Sequence, residues 1–275
     1  MVIDSHQHFW KYDSDKHAWI DDNMSSIRQD FLPHQLEKLY KAQGVDGCVA
    51  VQADQTDEET AFLLQLSKNH PIIKGVVGWV DLRSPDISEL LEAYSSEEII
   101  KGFRHIVQGE ADPNFLLRPF FLNGISALKK HDFTYDILVF PHQLGAVLEF
   151  VKTFPDQKFV IDHIAKPYIK DGFYDGWAAL MMEIGKQKNV YCKLSGIITE
   201  ADYHHWTKSD IIPYLELVLD AYGPNRLMFG SDWPVCLVAG NYQEVKELIV
   251  NFIAKLSSDE QRNIMGTNAV KFYNL

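Results

Sequence analysis

Short apolar runs alternate along the chain with longer stretches in which apolar residues recur every three or four positions. The runs rich in β-branched and aromatic residues cover residues 2–8, 45–53, 72–82, 101–107, 133–140, 159–164, 190–195 and 227–232. Most are nearly continuous rather than alternating, as strands covered on both faces are. Residues 58–69, 87–94, 143–154, 177–188, 211–222 and 242–256 read as amphipathic helices between them. Ser84-Pro85, Gly172 and Tyr222-Gly223-Pro224 supply start and stop signals. Strand–helix repeats of this number predict an α/β fold, a (β/α)₈ TIM barrel formed as a single domain over residues 1–275, with a doubly wound open sheet as the alternative. Residues 11–30, polar and aromatic, read as an active-site loop after the first strand rather than an element.

Composition narrows the partners. The formal charge of −12 and pI of about 5.3 make a surface that repels phosphate backbones and anionic lipid, so nucleic acid is not an expected partner. No apolar run is long enough to span a bilayer, and the opening VIDSHQHFW lacks the basic start and apolar run of a signal peptide. Cys48, Cys192 and Cys236 are too scattered for a disulfide framework. The cytoplasm is the expected compartment. Oligomeric state is open.

In a barrel of this kind the loops after the strands gather around one mouth, and the polar residues of this sequence collect there. His6 and His8 end the first run, Gln52 and Asp54 the second, Trp79 and Asp81 the third, and Arg104 and His105 the fourth. His163 and Lys166 follow the sixth, Lys193 and Ser195 mark the seventh, and Asp232 and Trp233 finish the eighth. Residues two apart on a strand share a face, so His6 and His8 can converge on one ion or one carbonyl oxygen. The plainer reading is two core histidines satisfied by backbone. Asp232, beside them if the barrel closes, is the candidate general base, with partial desolvation expected to raise its basicity; an Asp capping the next turn is the competing role. Arg104 suits a carbonyl, carboxylate or hydroxyl, or an ion pair at the rim. Since strand neighbours face opposite sides, only one of Arg104 and His105 points into the lumen. His163 can serve as metal ligand, proton donor or electrophile. Lys193 reads equally well as a lysine reaching a rim helix. The remaining histidines, His17 among them, read as mostly solvated, while His142 can face the mouth. No G-x-S-x-G elbow, P-loop or dinucleotide fingerprint is present.

Taken in order, HQHFW at 6–10, VVGWVDL at 76–82, GFRH at 102–105, FLLRPFF at 115–121, DHIAKP at 162–167, CKLSG at 192–196, TEADY at 199–203, MFGSDWPV at 228–235 and the closing GTNAVKFY resemble the amidohydrolase superfamily nearly end to end. The branch is that of L-fuconolactonase, L-rhamnonolactonase and the pyrone-dicarboxylate lactonases. The resemblance implies a distorted (β/α)₈ barrel and hydrolysis of a small-molecule sugar lactone, with L-fuconolactone or a related aldonolactone foremost. It places His6, His8, His163 and Asp232 as catalytic residues, and Arg104, His105, Trp79, Gln52, Lys166 and Trp233 around the substrate. Relatives usually carry glycine where this chain has Ala165. A two-metal site is not expected, because strand four ends in Arg104 and His105 rather than a bridging lysine or glutamate. No cofactor is strictly required; one divalent ion, zinc, held by His6, His8 and Asp232 is the open alternative. Competing readings are a mononuclear metal-dependent decarboxylase or amide hydrolase on the same scaffold, and a non-catalytic barrel that binds sugar acids.

Overall fold

The computed structural model describes residues 1–275. Eight parallel strands follow one another around the sheet: β1 Ile3–Gln7, β2 Gly47–Val51, β3 Ile73–Gly78, β4 Ile100–His105, β5 Thr134–Ile137, β6 Phe159–Ile161, β7 Val190–Leu194 and β8 Leu227–Phe229. Each lies inside or against its predicted run, and most are shorter because residues at the ends of the runs already belong to the loops. Helices α1 Pro33–Gln43, α2 Asp57–Asn69, α3 Ile87–Tyr94, α4 Pro119–Leu128, α5 Leu144–Thr153, α6 Asp175–Gly185, α7 Lys208–Tyr222 and α8 Tyr242–Ile253 form the outer ring. Two short helices, α9 Ser258–Arg262 and α10 Asn268–Tyr273, close the chain. No helix is long and apolar enough to cross a membrane.

The seam between β8 and β1 is the distorted part of the barrel. No regular ladder joins them; His8 N–H donates to the Trp233 carbonyl (2.7 Å), Asp232 N–H to the His6 carbonyl (2.8 Å), and Ser5 Oγ to the Phe229 carbonyl (2.7 Å). A register shift inside β1, between Asp4 and Gln7, accompanies this. The seam thus clamps the end of the first strand to the end of the last.

Two apolar clusters hold the layers. The larger gathers residues from both the strands and the surrounding helices, including Leu36, Leu63, Phe103, Phe150, Trp177, Leu215 and Ile249. The smaller one joins Ile3, Val49, Val51, Val77, Val160 and Met228 to Ala269, Phe272 and Tyr273 of α10, which plugs the barrel. Above this plug the interior is charged rather than apolar: Arg104, Asp136, Asp162 and Lys193 are all buried. The reading of residues 11–30 as a loop without an element is corrected at one place, since Asp22–Ile27 forms a short 3₁₀ helix against the Val235–Val238 turn that follows Asp232. His17 is likewise not solvated: it is 3% exposed and stacks on Tyr12.

Candidate active site

Because the seam fixes the backbone of His6, His8 and Asp232, their side chains meet. His6 Nε2 and His8 Nε2 are 3.1 Å apart, and Asp232 Oδ1 lies 3.8 Å from the first and 3.4 Å from the second. His163 Nε2 stands 3.9 Å from the same oxygen, and its ring packs edge-on against His6 at 4.3 Å. Asp232 takes a left-handed backbone (φ 56°), and so do His163, Ile164, Ala165 and Lys166. That tight left-handed turn is what swings His163 inward. At Ala165 (φ 60°) a Cβ in this conformation costs about 1–2 kcal/mol, a strain the turn carries. Gly196 is a residue that needs to be glycine: at φ 56°, a Cβ would sit 2.5 Å from His163 Nδ1 and 3.0 Å from Asp232 Oδ2. Its only sequence signal is its place at the end of CKLSG.

Hydrogen bonds settle several roles. His8 Nδ1 faces the Val51 carbonyl at 2.8 Å, so it donates there and turns Nε2 toward the centre. His163 Nδ1 pairs with Ser195 Oγ at 2.9 Å. Burial pushes the imidazoles of His6 and His163 well below their ordinary value, so both are neutral at pH 7. Asp232 corrects an expectation. Burial does act to raise its carboxyl, but the His163 and His8 imidazoles that face it and the Lys166 charge together hold it below the usual value. Asp232 is therefore ionised, and its Oδ1 is buried without a hydrogen-bond partner.

The other predicted residues divide. Arg104 points inward but is largely spoken for: Nη1 donates to Asp162 Oδ2 (3.0 Å), and Nη2 to the Gln52 carbonyl (2.5 Å) and Gln52 Oε1 (2.8 Å). Gln52 thus orients Arg104, and Nη1 also lies 3.4 Å from His6 Nε2. His105 is not brought to the cluster; it sits on the opposite face of β4, stacked on Phe115 and bonded to Glu110 Oε1 at 2.7 Å. Trp233 packs its ring against Phe9 and Phe31 in the core, contributing its carbonyl to the seam. Trp79 retains a buried indole N–H without a partner. Lys166 pairs with Glu200 Oε1 at 2.5 Å. Glu200 lines a cleft of about 470 Å³ with Asn23, Tyr168, Thr199 and Tyr203. His142 bonds Tyr168 at the surface. Lys193 reaches no rim helix: it lies inside the barrel, against Asp136 and Asp162. Asp136 lies in no motif, and DHIAKP and TEADY contain Asp162 and Glu200 without singling them out, because the letters do not show which acidic residues are buried.

The donors fit one divalent ion. A tetrahedral zinc with bonds near 2.0–2.1 Å separates its ligand atoms by about 3.3 Å, and the spacings among His6, His8 and Asp232 are 3.1, 3.4 and 3.8 Å. The unpartnered Asp232 Oδ1 would supply the anionic ligand.

The family model described as amidohydrolase matches residues 3–275. An L-fucono-1,5-lactonase of Burkholderia multivorans is 39% identical, over 100% of this chain and 96% of its own length. The L-fucono-1,5-lactonase of Burkholderia ambifaria is 36% identical over 99% and 95%. Among solved structures, an amidohydrolase from Burkholderia multivorans with bound zinc superposes with a TM-score of 0.96 at 39% identity, covering 100% of this chain and 99% of that one. On its sequence, its barrel and the residues gathered at its seam, the chain belongs to the amidohydrolase family.

Proposed function

We propose that this chain, working as one domain, hydrolyses a sugar lactone to the open sugar acid, with L-fucono-1,5-lactone as the foremost substrate. The observation that carries the reading is the buried, ionised, unpartnered Asp232 Oδ1 facing the Nε2 atoms of three histidines. The two lactonases at 36–39% identity over nearly the whole chain support the substrate class. Asp232 takes a proton from water as its oxygen bonds to the lactone carbonyl carbon. Ring N–H groups and Arg104 Nη1 offset the charge that develops on the carbonyl oxygen. The carbon–oxygen ring bond then breaks, and the proton held by Asp232 passes to the leaving oxygen. Trp79, Lys166 and the Glu200-lined cleft are the polar groups disposed to read hydroxyls. A divalent ion held by His6, His8 and Asp232 would add positive charge that polarises the carbonyl. The cytoplasm is the compartment this reading implies.

A pH-indicator assay over five- and six-membered aldonolactones, with and without exhaustive chelation, tests the proposal. Acceleration of L-fucono-1,5-lactone opening is the expected result. Hydrolysis at no more than the buffer rate across the panel would overturn it, and activity surviving chelation would exclude the metal-dependent decarboxylase or amidase reading.

A further inference from the structure

Lys166 and Glu200 stand between the histidine cluster and the open cleft beside it. Lys166 (φ 47°) ends the left-handed turn that carries His163 inward. Its ammonium lies 2.5 Å from Glu200 Oε1 and 5.9 Å over the Phe140 ring, and the two side chains of the pair are 16% and 12% exposed. Glu200 ends a short 3₁₀ turn, Ile198–Glu200, in the loop after β7. Thr199 Oγ1 donates to the Gly196 carbonyl at 2.8 Å and Lys170 N–H to the Glu200 carbonyl at 3.0 Å, so the loops after β6 and β7 together fix the pair. The cleft it faces, about 470 Å³, suits a small molecule. Its lining is acidic: Asp171, Glu200 and Asp202 stand against Lys170, while Lys170 at 3.7 Å and His205 at 3.2 Å are both drawn to Asp202. Deeper in the barrel Arg104 is held by Asp162, and Lys193 by Asp136 and Asp162. Lys166, Lys170, Arg104 and Lys193 thus each face a carboxylate of the chain itself. A carboxylate on a ligand finds these cations taken and meets the acids of the cleft; a hydroxyl can donate to Glu200, whose contact with the lysine uses Oε1.

We propose that Glu200 is a specificity-determining residue: by neutralising Lys166 it makes the cleft a site for the hydroxyl groups of an uncharged polyol lactone and bars lactones that also bear a free carboxylate. Selection of this kind works through repulsion of the wrong ligand as much as attraction of the right one. The arrangement has both parts, an acceptor for hydroxyls and a like charge against acids, in one side chain. Its counter-ion, Lys166, would turn from a spent cation into a carboxylate receptor if that one charge were removed. The inference rests on the proposed hydrolysis of a sugar lactone at the histidine cluster and names the charge class of its substrate.

Two lactones that differ at one carbon test this: L-galactono-1,4-lactone ends in a hydroxymethyl group and L-galactaro-1,4-lactone in a carboxylate. The readout is the ratio of kcat/KM, neutral over anionic; where either is opened too slowly to follow, its inhibition constant against L-fucono-1,5-lactone is compared instead. Losses common to both lactones, such as those from a Lys166 ammonium drawn toward Asp232, cancel in the ratio. The wild type should favour the neutral lactone by about 100-fold, the effect of a like charge placed against the wrong ligand. Glu200→Gln keeps the volume and frees Lys166, and should lower that ratio by about 10-fold or more. Glu200→Asp keeps the charge and should hold the ratio within about three-fold of wild type. If Glu200→Gln does not fold, the wild type carries the test through salt: raising ionic strength from about 0.05 to about 0.5 M should lower the ratio by about three-fold, because salt screens the repulsion. A wild type that accepts both lactones equally, a folded Glu200→Gln with the wild-type ratio, or a ratio that salt leaves unmoved overturns the inference. Opening of L-fucono-1,5-lactone by the wild type separates the two failures: without it the hydrolytic reading itself is lost.

Discussion

Arg104→Lys keeps the charge in the barrel and removes the fork. The guanidinium is 3% exposed and makes three hydrogen bonds, two from Nη2 to Gln52 and one from Nη1 to Asp162. A lysine reaching the same place can hold Asp162 but cannot also span both Gln52 acceptors, so at least one buried acceptor loses its partner. Each such orphan costs about 1–3 kcal/mol, and for a chain of this size about 2–4 °C of melting temperature per kcal/mol. Taking about 2 kcal/mol per orphan and about 3 °C per kcal/mol, the variant should therefore melt roughly 6–12 °C below wild type if one to two acceptors are orphaned. Turnover should fall as well, because Asp162 and the His6 ring lean on the same guanidinium; a displacement near 1 Å costs on the order of 10² in rate. Differential scanning calorimetry and initial-rate assays on the variant read both quantities. A melting temperature within about 2 °C of wild type together with unchanged kcat would refute the reasoning, since it would mean the fork is dispensable.

Three further outcomes follow from the site. Asp232 is held below its ordinary value and His6 and His163 well below theirs, so none changes protonation near neutrality. The kcat/KM profile should be flat from about pH 7 to 8 and fall at lower pH as acid reaches the buried carboxylates, Asp136 among them, which burial pushes up to about 6; a limb centred inside that flat range would contradict this. Gly196→Ala should fold but lose roughly 10²-fold in turnover, because the methyl group displaces His163 and Asp232; wild-type rates would show that the added methyl is harmless there. Asp4 is fully buried and burial pushes it up to about 6, the hydrogen bonds from Ser231 and Tyr40 offsetting only part. A raised carboxyl contributes stability that is fully present below its unfolded pKa and lost as pH rises through the folded one, about 3 kcal/mol in all and about 2 kcal/mol of it between pH 4 and 6. Urea titrations of wild type and Asp4→Asn across that range should show the slope reduced in the variant; parallel slopes would remove the assignment.

The barrel is legible because its strands are apolar runs of the right length and number, and two-sided burial leaves little else they can be. The mouth is legible for the same reason: a run that ends in His6 and His8, or in Asp232, marks a strand end. What the letters do not show is which way the flanking residues turn. His105 and Arg104 are adjacent, and only the strand's pleat sends one to Phe115 and the other to Asp162. Trp233 reads as a substrate platform, but the turn after Asp232 sends its ring into the core. The raised basicity expected of Asp232 follows from burial alone and leaves out Lys166, which approaches through a left-handed turn that no propensity for Ala165 or Ile164 predicts. The charged interior is hidden for a related reason. Asp136, Asp162 and Lys193 each sit singly in apolar runs, and their mutual distances exist only once β5, β6 and β7 are neighbours.

Replacing the carboxylate and nothing else is the most direct measurement. Asp232→Asn keeps the side chain's volume at the seam, and single-turnover hydrolysis of L-fucono-1,5-lactone should slow by about 10²–10⁴-fold, the usual worth of a positioned general base, with circular dichroism unchanged. Wild-type turnover by the folded variant would contradict the account.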